Sequence, residues 1–331
     1  MAEKNGNSLL LEVRDLKTWY PVKKGLLRRT VGHLRAVDGV SFDIPAGKTL
    51  GLVGESGCGK TTIARTIARL IPAAEGTVTF GGKDVLAARG ENLMRLRREM
   101  SIIFQDPYGS LNPRMTVGDI AGEPMLVHGI AHHRDVPDRV ADLLGRVGLS
   151  PDHLNRYPHE FSGGQRQRIG IARALALSPR LVICDEPVSA LDVSIQSQIL
   201  NLLRDMQDEF NLTYLFIAHD LAVVEFVSDV VAVMYLGRIV ERAPAAELYE
   251  RPLHPYTQAL MSAVPEVAPE KRRTRKSLGG EIPSPANPPS GCTFHPRCPL
   301  ADDRCAQESP ELEPKETESM HFVACWKCPG R

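Results

Sequence analysis

The sequence predicts an α/β protein whose mainly parallel sheet is covered by helices on both faces. Short apolar segments at residues 49–53, 181–184 and 213–218 alternate with stretches of helical periodicity, an order typical of parallel sheets. The first of these segments leads into a glycine-rich turn and then into a helical pattern at residues 60–70. Because such folds bind ligands at the carboxyl ends of their strands, we expect the chemistry of this protein at that edge.

Length and composition restrict the class of protein. A chain of 331 residues with 43% hydrophobic residues can form one large domain and an appendage. Lys plus Arg and Asp plus Glu balance at 40 each, so global charge does not favour a nucleic-acid partner. The longest apolar run, residues 230–236, is far shorter than the ~18 residues that span a bilayer. The polar N-terminus also lacks a signal-peptide core, so we expect a cytoplasmic chain that reaches a membrane only through partners.

The N-terminal segment predicts β structure with a basic insertion. Residues 9–16 alternate as a strand does, and residues 36–44 predict further strand structure. Between them, residues 21–35 carry five basic residues and no acidic one. We interpret this insertion as an exposed loop or hairpin with a solvated face, and contact with a membrane surface or a partner is the alternative.

The strongest local motif is G-E-S-G-C-G-K-T at residues 54–61, which matches the phosphate-binding pattern G-x-x-x-x-G-K-[ST]. Its glycines allow the backbone to wrap an anion, and amides at a helix N-terminus supply positive potential. Lys60 is predicted to reach the β- and γ-phosphates, and the Thr61 hydroxyl to ligate Mg²⁺. A chance glycine turn does not explain the strand before the motif and the helix after it. The predicted nucleotide-binding residues here are Gly54, Glu55, Ser56, Gly57, Cys58, Gly59, Lys60, Thr61 and Thr62.

A second motif, L-V-I-C-D-E at residues 181–186, ends a buried strand with two carboxylates. Because burying charge is costly, two acids at the end of an apolar strand need a reason. Asp185 is predicted to hold Mg²⁺ through water, and Glu186 to orient and polarise the water that attacks ATP. Either acid alone would suit a helix cap, but together with the phosphate loop they predict nucleotide hydrolysis.

A third motif, F-S-G-G-Q-R-Q-R at residues 161–168, narrows the class. Here the sequence resembles the ABC ATPase family, whose signature motif it matches with Phe161 where leucine is commoner. A serine and two glycines at a helix start form a second phosphate cradle. The resemblance implies that this cradle closes over ATP bound to a partner subunit, so that two such domains enclose two nucleotides. The implied cradle residues are Ser162, Gly163, Gly164 and Gln165.

The same resemblance assigns roles to four further positions. Gln105 matches the glutamine that contacts Mg²⁺ and the attacking water, and His219 matches the switch histidine that senses the γ-phosphate. Asp192 ends S-A-L-D, which resembles the loop that crosses the dimer interface. Tyr20 lies where the family places an aromatic residue that stacks on adenine, with Trp19 as the competing choice. All catalytic positions hold the expected residue types, so we expect an active ATPase.

Longer segments resemble the ATPases of oligopeptide and dipeptide importers. They are F-Q-D-P-Y-G-S-L-N-P-R-M-T-V, R-Y-P-H-E-F-S-G-G-Q, A-V-M-Y-L-G-R-I-V-E and P-L-H-P-Y-T-Q-A-L, and the basic insertion is similar to that of the F-type subunit. The resemblance implies an ATPase that powers peptide import from the cytoplasmic face of the bacterial inner membrane. Its implied partners are a D-type ATPase in a heterodimer, two transmembrane permease subunits that dock near residues 106–160, and an extracytoplasmic peptide-binding protein.

Two alternatives to peptide import stay open. Related importers of nickel, glutathione or murein peptide share the family features. ABC ATPases that act on nucleic acid or the ribosome form a different class, and a single compact core without heptads or basic surplus argues against it. We therefore expect no nucleic-acid partner.

The resemblance also implies a domain plan. Residues 1–260 are expected to form an ABC ATPase domain, with a RecA-like P-loop NTPase core, an antiparallel β subdomain and a helical signature subdomain at about residues 106–177. Residues 261–331 are expected to form a Pro-rich linker, with a basic stretch at residues 271–276, and a small Cys-rich C-terminal extension.

Five of the seven cysteines lie in the last forty residues, a pattern that in a reducing compartment favours a metal site over disulfides. The tail resembles the C-terminal extension of peptide importers, in which four cysteines can hold a [4Fe–4S] cluster. Four thiolates suit Fe–S or zinc, but the spacing C-x5-C-x6-C-x19-C differs from short zinc knuckles. Zinc, with His295 in a Cys₃His set, stays the alternative, and Cys328 is a spare or an alternative ligand. The matching cluster positions are Cys292, Cys298, Cys305 and Cys325.

Overall fold

In the part of the chain that the structure describes, the strands form two β-sheets. The computed structural model describes residues 8–25, 29–106, 108–263, 279–316 and 319–328. The basic stretch at residues 271–276 and most of the expected linker lie outside these residues. Across the described ranges, no helix is both long enough and apolar enough to cross a bilayer.

The smaller sheet is the antiparallel β subdomain, with the spatial order β2-β1-β4-β5. Its strands are β1 (Leu9–Lys24), β2 (Arg29–Pro45), β4 (Glu75–Phe80) and β5 (Lys83–Asp84).

Strands β1 and β2 form a long hairpin that contains the basic insertion. They pair from Leu9 opposite Pro45 to Lys24 opposite Arg29, whereas β1 pairs with β4 only as far as Lys17. Both strands are therefore longer than the sequence pattern predicted. The pattern fails because beyond Lys17 the hairpin has only two strands, and after the buried Thr18 the side chains of β1 are half-buried or exposed, so that Pro21 and the basic residues are tolerated there.

The larger sheet carries the phosphate loop and is mainly parallel at its centre. Its spatial order is β11-β12-β10-β9-β3-β8-β7-β6. The five strands from β9 to β6 run parallel, and β10, β12 and β11 continue the sheet in antiparallel pairs. The strands are β3 (Thr49–Val53), β6 (Met100–Ile103), β7 (Leu181–Asp185), β8 (Thr213–Ile217), β9 (Val230–Tyr235), β10 (Arg238–Pro244), β11 (Glu313–Pro314) and β12 (Phe322–Val323).

Helices cover the larger sheet. Three of them pack together within residues 106–177, the region predicted to be mostly helical: α3 (Val117–Val127), α4 (Val136–Arg146) and α5 (Gly163–Leu175). Short 3₁₀ turns at Pro151–Asn155 and Pro158–Glu160 lead into the last of the three. The helices are α1 (Lys60–Ile67), α2 (Gly90–Glu99), α3 (Val117–Val127), α4 (Val136–Arg146), α5 (Gly163–Leu175), α6 (Val193–Phe210), α7 (Leu221–Val227), α8 (Ala245–Glu250), α9 (Pro255–Ser262) and α10 (Asp303–Gln307).

The larger sheet separates two hydrophobic cores. Successive strand residues point to opposite faces, so that on β8 Leu215 and Ile217 join the core under the β subdomain, while Tyr214 and Phe216 join the core under the helices. Burial on both faces explains the continuous apolar runs of the central strands. It also fixes the carboxyl ends of these strands, where the predicted site residues begin.

The C-terminal segment is integrated into the same sheet. Strand β12 pairs with β10, with Val323 opposite Glu241, and the Ala324 amide donates to the Val240 carbonyl at 2.8 Å. Phe294 is only 1% exposed and belongs to the larger core. The described part of the extension is therefore packed on the ATPase sheet along its edge.

Candidate functional site

The phosphate loop connects β3 to α1 and has a backbone that only glycine adopts easily. Gly54, Gly57 and Gly59 have φ values of 153°, 80° and 111°. A Cβ on Gly59 would lie 2.1 Å from the Ala36 carbonyl oxygen, which rules out a side chain there. The buried Lys60 Nζ donates to the carbonyls of Gly54 at 2.7 Å and of Glu55 at 3.1 Å. The loop thus curls around its own lysine.

Asp185 and Thr61 meet beside the loop. Asp185 ends β7 and is 1% exposed, and the Thr61 hydroxyl donates to its Oδ1 at 2.9 Å. The pKa of Asp185 is raised above its usual value because the carboxyl is buried. The hydrogen bond from Thr61 and the positive charges of Arg65 and Lys60 oppose this effect without cancelling it. The pair brings two oxygen ligands together, and oxygen is the ligand atom that Mg²⁺ prefers.

Glu186 gathers the other two predicted catalytic residues. It has a left-handed backbone conformation, with φ of 50°, which turns the chain sharply after β7. Gln105 Nε2 donates to Glu186 Oε2 at 2.8 Å, and His219 Nδ1 lies 3.4 Å from the same oxygen. Gln105 follows β6 and His219 follows β8, so the parallel order of the sheet delivers all three residues to one edge.

The signature segment forms the N-terminus of α5. The Ser162 amide donates to Gln165 Oε1 at 3.0 Å, and the Gln165 amide donates to Ser162 Oγ, so the two residues form a capping box. A Cβ on Gly164 would lie 2.5 Å from Ile195 Cγ2, which shows how closely the segment packs on α6. Within the described ranges, neither Ser162 nor Gln165 hydrogen-bonds to the phosphate loop of this chain.

Asp192 and Tyr20 lie at the borders of the site. Asp192 is the N-cap residue of α6, and its carbonyl accepts from the amides of Ile195 and Gln196. Tyr20 is 40% exposed on β1. Trp19 points the other way, where its Nε1 donates to Asp38 and its ring lies 5.5 Å from the Arg35 guanidinium. Among the residues that the structure describes, cations lie over the ring of Trp19 and not over that of Tyr20.

The tail cysteines are free thiols that are buried or half-buried. Burial raises the pKa of Cys292, and the neighbouring Cys305 and Cys298 raise it further. Burial likewise raises the pKa of Cys325 to about 11, with added contributions from Cys328, Cys292 and Cys298. Among the residues that the structure describes, no group of three or more His, Cys, Asp or Glu side chains is arranged to hold a metal ion. The arrangement therefore does not by itself support the predicted metal centre.

Sequence reasoning missed the partners of Glu55. Its carboxylate accepts two hydrogen bonds from the Arg297 guanidinium, at 2.8 and 3.1 Å, and its amide donates to the Tyr256 hydroxyl at 2.9 Å. The available signal was the acid itself, because a carboxylate inside an anion-binding loop requires a cation. The sequence did not indicate which of the many arginines supplies it.

The fold and the site together define a P-loop ATPase of the ABC class. Residues 37–189 match the family model described as ABC transporter, and residues 240–305 match the one described as oligopeptide/dipeptide transporter, C-terminal region. The chain belongs to the family of oligopeptide transport ATP-binding proteins of ABC transporters. This confirms the family resemblance seen in the sequence.

Individual relatives and solved structures agree with this assignment. The chain is 54% identical to the oligopeptide transport ATP-binding protein AppF of Bacillus subtilis and 53% identical to OppF of Salmonella typhimurium, each over 96% of both chains. Among solved structures, the ATP-binding cassette MJ0796 in a dimeric post-hydrolysis state bound to ADP and Pi has a TM-score of 0.63 at 26% identity, covering 71% of this chain and 99% of that one. CbiO1 of Clostridium perfringens, part of the transporter complex cbiONQ, has a TM-score of 0.62 at 27% identity, covering 73% of this chain and 91% of that one.

Proposed function

We propose that this chain binds and hydrolyses ATP to power the import of dipeptides and oligopeptides across the bacterial cytoplasmic membrane. The observation that carries the proposal is the convergence of Gln105, Glu186 and His219 beside the Thr61–Asp185 pair at the carboxyl edge of the sheet. The relatives AppF and OppF are oligopeptide transport ATP-binding proteins, and this supplies the substrate class.

Each residue of this cluster has a role in the proposed reaction. Glu186 accepts a hydrogen bond from, and thereby orients, the water that attacks the γ-phosphate, while Gln105 and His219 hold its carboxylate and contact the nucleotide. Thr61, Gln105 and Asp185 would hold Mg²⁺, which when bound neutralises phosphate charge. Lys60 exchanges its two loop carbonyls for the β- and γ-phosphates. The remaining residues of the phosphate loop, the start of α1 and the ring of Tyr20 complete the proposed ATP site, whose loop residues are Gly54, Glu55, Ser56, Gly57, Cys58, Gly59 and Thr62.

The second half of each ATP site is proposed to come from another ATPase subunit. Ser162, Gly163, Gly164 and Gln165 form an α-helix start suited to a phosphate, yet they bond within their own segment. A partner of the same fold, here a D-type homologue, would present its own signature segment to this phosphate loop. Asp192, at the start of α6, lies in the loop proposed to cross the interface.

The helical subdomain is proposed to dock the two permease subunits, which would place the chain on the cytoplasmic face of the membrane. Supporting this, Tyr108, Val127 and Tyr157 leave apolar side chains 65%, 62% and 40% exposed in the region at residues 106–160. A groove of the same subdomain is lined by Val127 together with Met115, Leu126 and Leu154, among other residues. An extracytoplasmic binding protein would deliver the peptide.

The Glu186→Gln variant tests the hydrolytic assignment. We expect ATP affinity within about twofold of the unchanged protein and steady-state ATPase lower by at least ~100-fold, since the amide no longer polarises water. The measurements are nucleotide binding at equilibrium and phosphate release. Normal turnover in this variant would contradict the assignment of the catalytic carboxylate.

For the tail we propose a [4Fe–4S] cluster on Cys292, Cys298, Cys305 and Cys325, within an extension that spans residues 261–331 and follows an ATPase domain at residues 1–260. What supports the cluster is the donor set: four buried or half-buried thiols of the tail, of which Cys305 is near enough to add to the effect of burial in raising the pKa of both Cys292 and Cys298. When bound, such a cluster would cross-link the tail. A tetrahedral zinc site, with its sulfurs at ~2.3 Å from one ion, stays the alternative, since the described side chains are pre-arranged for neither metal.

Metal analysis of anaerobically purified protein tests the tail proposal. We expect about four iron and four sulfide per chain. Zinc alone would replace the cluster by a structural zinc site, and neither metal would contradict both. Co-purification with membrane subunits would further support transport, whereas co-purification with nucleic acid would favour the non-transport alternative.

A further inference from the structure

The C-terminal segment forms a salt bridge with the phosphate loop. The Glu55 carboxylate, inside the loop, receives both Nη groups of Arg297 in a two-bond fork at 2.8 and 3.1 Å. The Arg297 side chain is 5% exposed and the Glu55 side chain 21% exposed. Fork geometry fixes orientation as well as distance, so the loop residue is held in one position.

An aromatic cluster packs next to this ion pair. Phe294, three residues before Arg297, packs its ring 5.3 Å from Tyr235 and 5.5 Å from Tyr256. The Tyr256 hydroxyl accepts the Glu55 amide proton, and the Arg297 guanidinium lies 5.7 Å from the Tyr235 ring. The side chain of Glu55 is therefore bound by Arg297 of the C-terminal segment, and its backbone amide is bound by Tyr256, which packs against Phe294 of the same segment.

We infer that Arg297 is a positioning residue for the nucleotide site: it neutralises and orients Glu55, and so holds the phosphate loop in its binding shape. This inference rests on the proposed ATPase function. An unpaired carboxylate in a loop that binds a triphosphate would repel the ligand and leave the loop without a fixed conformation. A pre-formed loop avoids an ordering cost on binding.

The same contact couples the tail to the nucleotide. Arg297 is followed directly by Cys298, and the amides of both residues donate within the turn at residues 294–298, to Phe294 and His295 respectively. Coupling between two sites is reciprocal. Nucleotide binding at the loop therefore stabilises this turn, and loosening of the turn weakens nucleotide binding.

Equilibrium binding of ATP and ADP to full-length variants tests the first part. We expect Arg297→Met to raise both Kd values about tenfold and the KM for ATP by a similar factor, with kcat at saturation within about twofold, because the loop acts on ground state and transition state alike. Arg297→Lys keeps the charge without the fork and should lie between. Adding Glu55→Gln to Arg297→Met should restore part of the affinity, since it removes the unpaired carboxylate.

The matched control is Arg304→Met, another arginine of the tail whose exposed side chain pairs with Glu308. It should leave both Kd values within about twofold. An unchanged Kd in Arg297→Met, or a fall in kcat and in the fraction of active protein without a change in Kd, would overturn the inference. Failure of the unaltered protein to bind ATP would instead overturn the proposed function.

Hydrogen exchange tests the reciprocal effect. In the unaltered protein, saturating MgADP should slow amide exchange at residues 294–298 at least threefold, and in Glu55→Gln this protection should disappear. Protection that is equal in both proteins, or absent from both while ADP is bound, would show that the ion pair does not connect the two regions.

Discussion

At the scale of single residues, the two adjacent acids at the end of β7 differ in burial and in hydrogen-bond partners. Asp185 lies in the strand, almost wholly buried, with the Thr61 hydroxyl on one oxygen. Glu186 follows with a left-handed backbone, which turns its carboxylate toward Gln105 and His219. A strand that simply continued would have pointed the two side chains to opposite faces; the turn brings both to the same edge.

The Thr61→Val variant tests the role of the hydroxyl at this pair. The change keeps the volume but removes an oxygen ligand and leaves the buried Asp185 without its hydrogen bond. We expect ATP affinity in the presence of Mg²⁺ to fall at least about tenfold, and affinity in excess chelator to change little. Thr61→Ser, which retains the hydroxyl, should behave as the unaltered protein; equal Mg²⁺ dependence in all three proteins would contradict the assignment.

At the scale of elements, His321 fastens the tail to the edge of the sheet. Its Nε2 lies 2.7 Å from Glu241 on β10 and its Nδ1 2.9 Å from Glu247 on α8. Burial lowers the pKa of His321, but hydrogen bonds to both carboxylates outweigh it and raise the pKa above its usual value. Glu241 also accepts from the backbone amides of Leu253 and His254, so its buried charge is fully satisfied.

The contacts of His321 with Glu241 and Glu247 predict that the stability of the protein depends on pH. Because the folded pKa of His321 is raised, its contribution is fully present below the unfolded value of about 6.5 and is lost as pH rises through the folded pKa. We expect the free energy of unfolding of the unaltered protein to exceed that of His321→Gln by about 1–3 kcal/mol at pH 6, and the difference to shrink toward pH 9. Denaturant titrations of both proteins across this range measure it.

The neighbouring His254 acts in the opposite direction. Burial lowers its pKa to about 4, against the attraction of Glu241. It therefore costs stability as pH falls from about 6.5 toward 4. Comparison with His321→Gln cancels this contribution, since His254 is present in both proteins. If the difference in free energy of unfolding between the unaltered protein and His321→Gln grew with pH, the proposed role of His321 would be contradicted.

The sequence predicted those elements and residues whose chemistry is local. The phosphate loop and the Asp185–Glu186 pair stand next to apolar strands in the chain, so type and spacing were enough to place them. Strand β12 is two residues long, too short for any periodicity, and its pairing with β10 depends on the path of the tail. Arg297 and Glu55 are 242 positions apart, a contact that only the folded sheet creates.

At the scale of the whole molecule, the tail contributes to the main core. Phe294 fills a site bordered by Tyr235, Tyr256 and His254, directly under the phosphate loop. The sequence indicated a separate appendage because prolines and cysteines dominate its composition. Composition does not reveal that one buried phenylalanine ties such a segment to the domain before it.

Substitution of Phe294 measures this contribution. We expect Phe294→Ala to lower the free energy of unfolding by about 3–5 kcal/mol, through lost burial and the cavity left among three aromatic rings. Leu300→Ala, in the same segment but 53% exposed, should change it by less than about 0.5 kcal/mol. Equal effects from the two substitutions in denaturant titrations would show that the tail does not share the main core.

The pairing of β12 with β10 has a consequence for the newly made chain. Strand β10 ends at Pro244, and its partner β12 begins at Phe322, so at ~5–20 residues per second the edge waits several seconds during synthesis before its partner emerges. Until then, β10 offers unpaired backbone groups of the kind that recruit foreign strands. The strand that covers this edge leaves the ribosome long after β10 itself, and a chain whose synthesis stops between the two would expose the edge of β10 to aggregation.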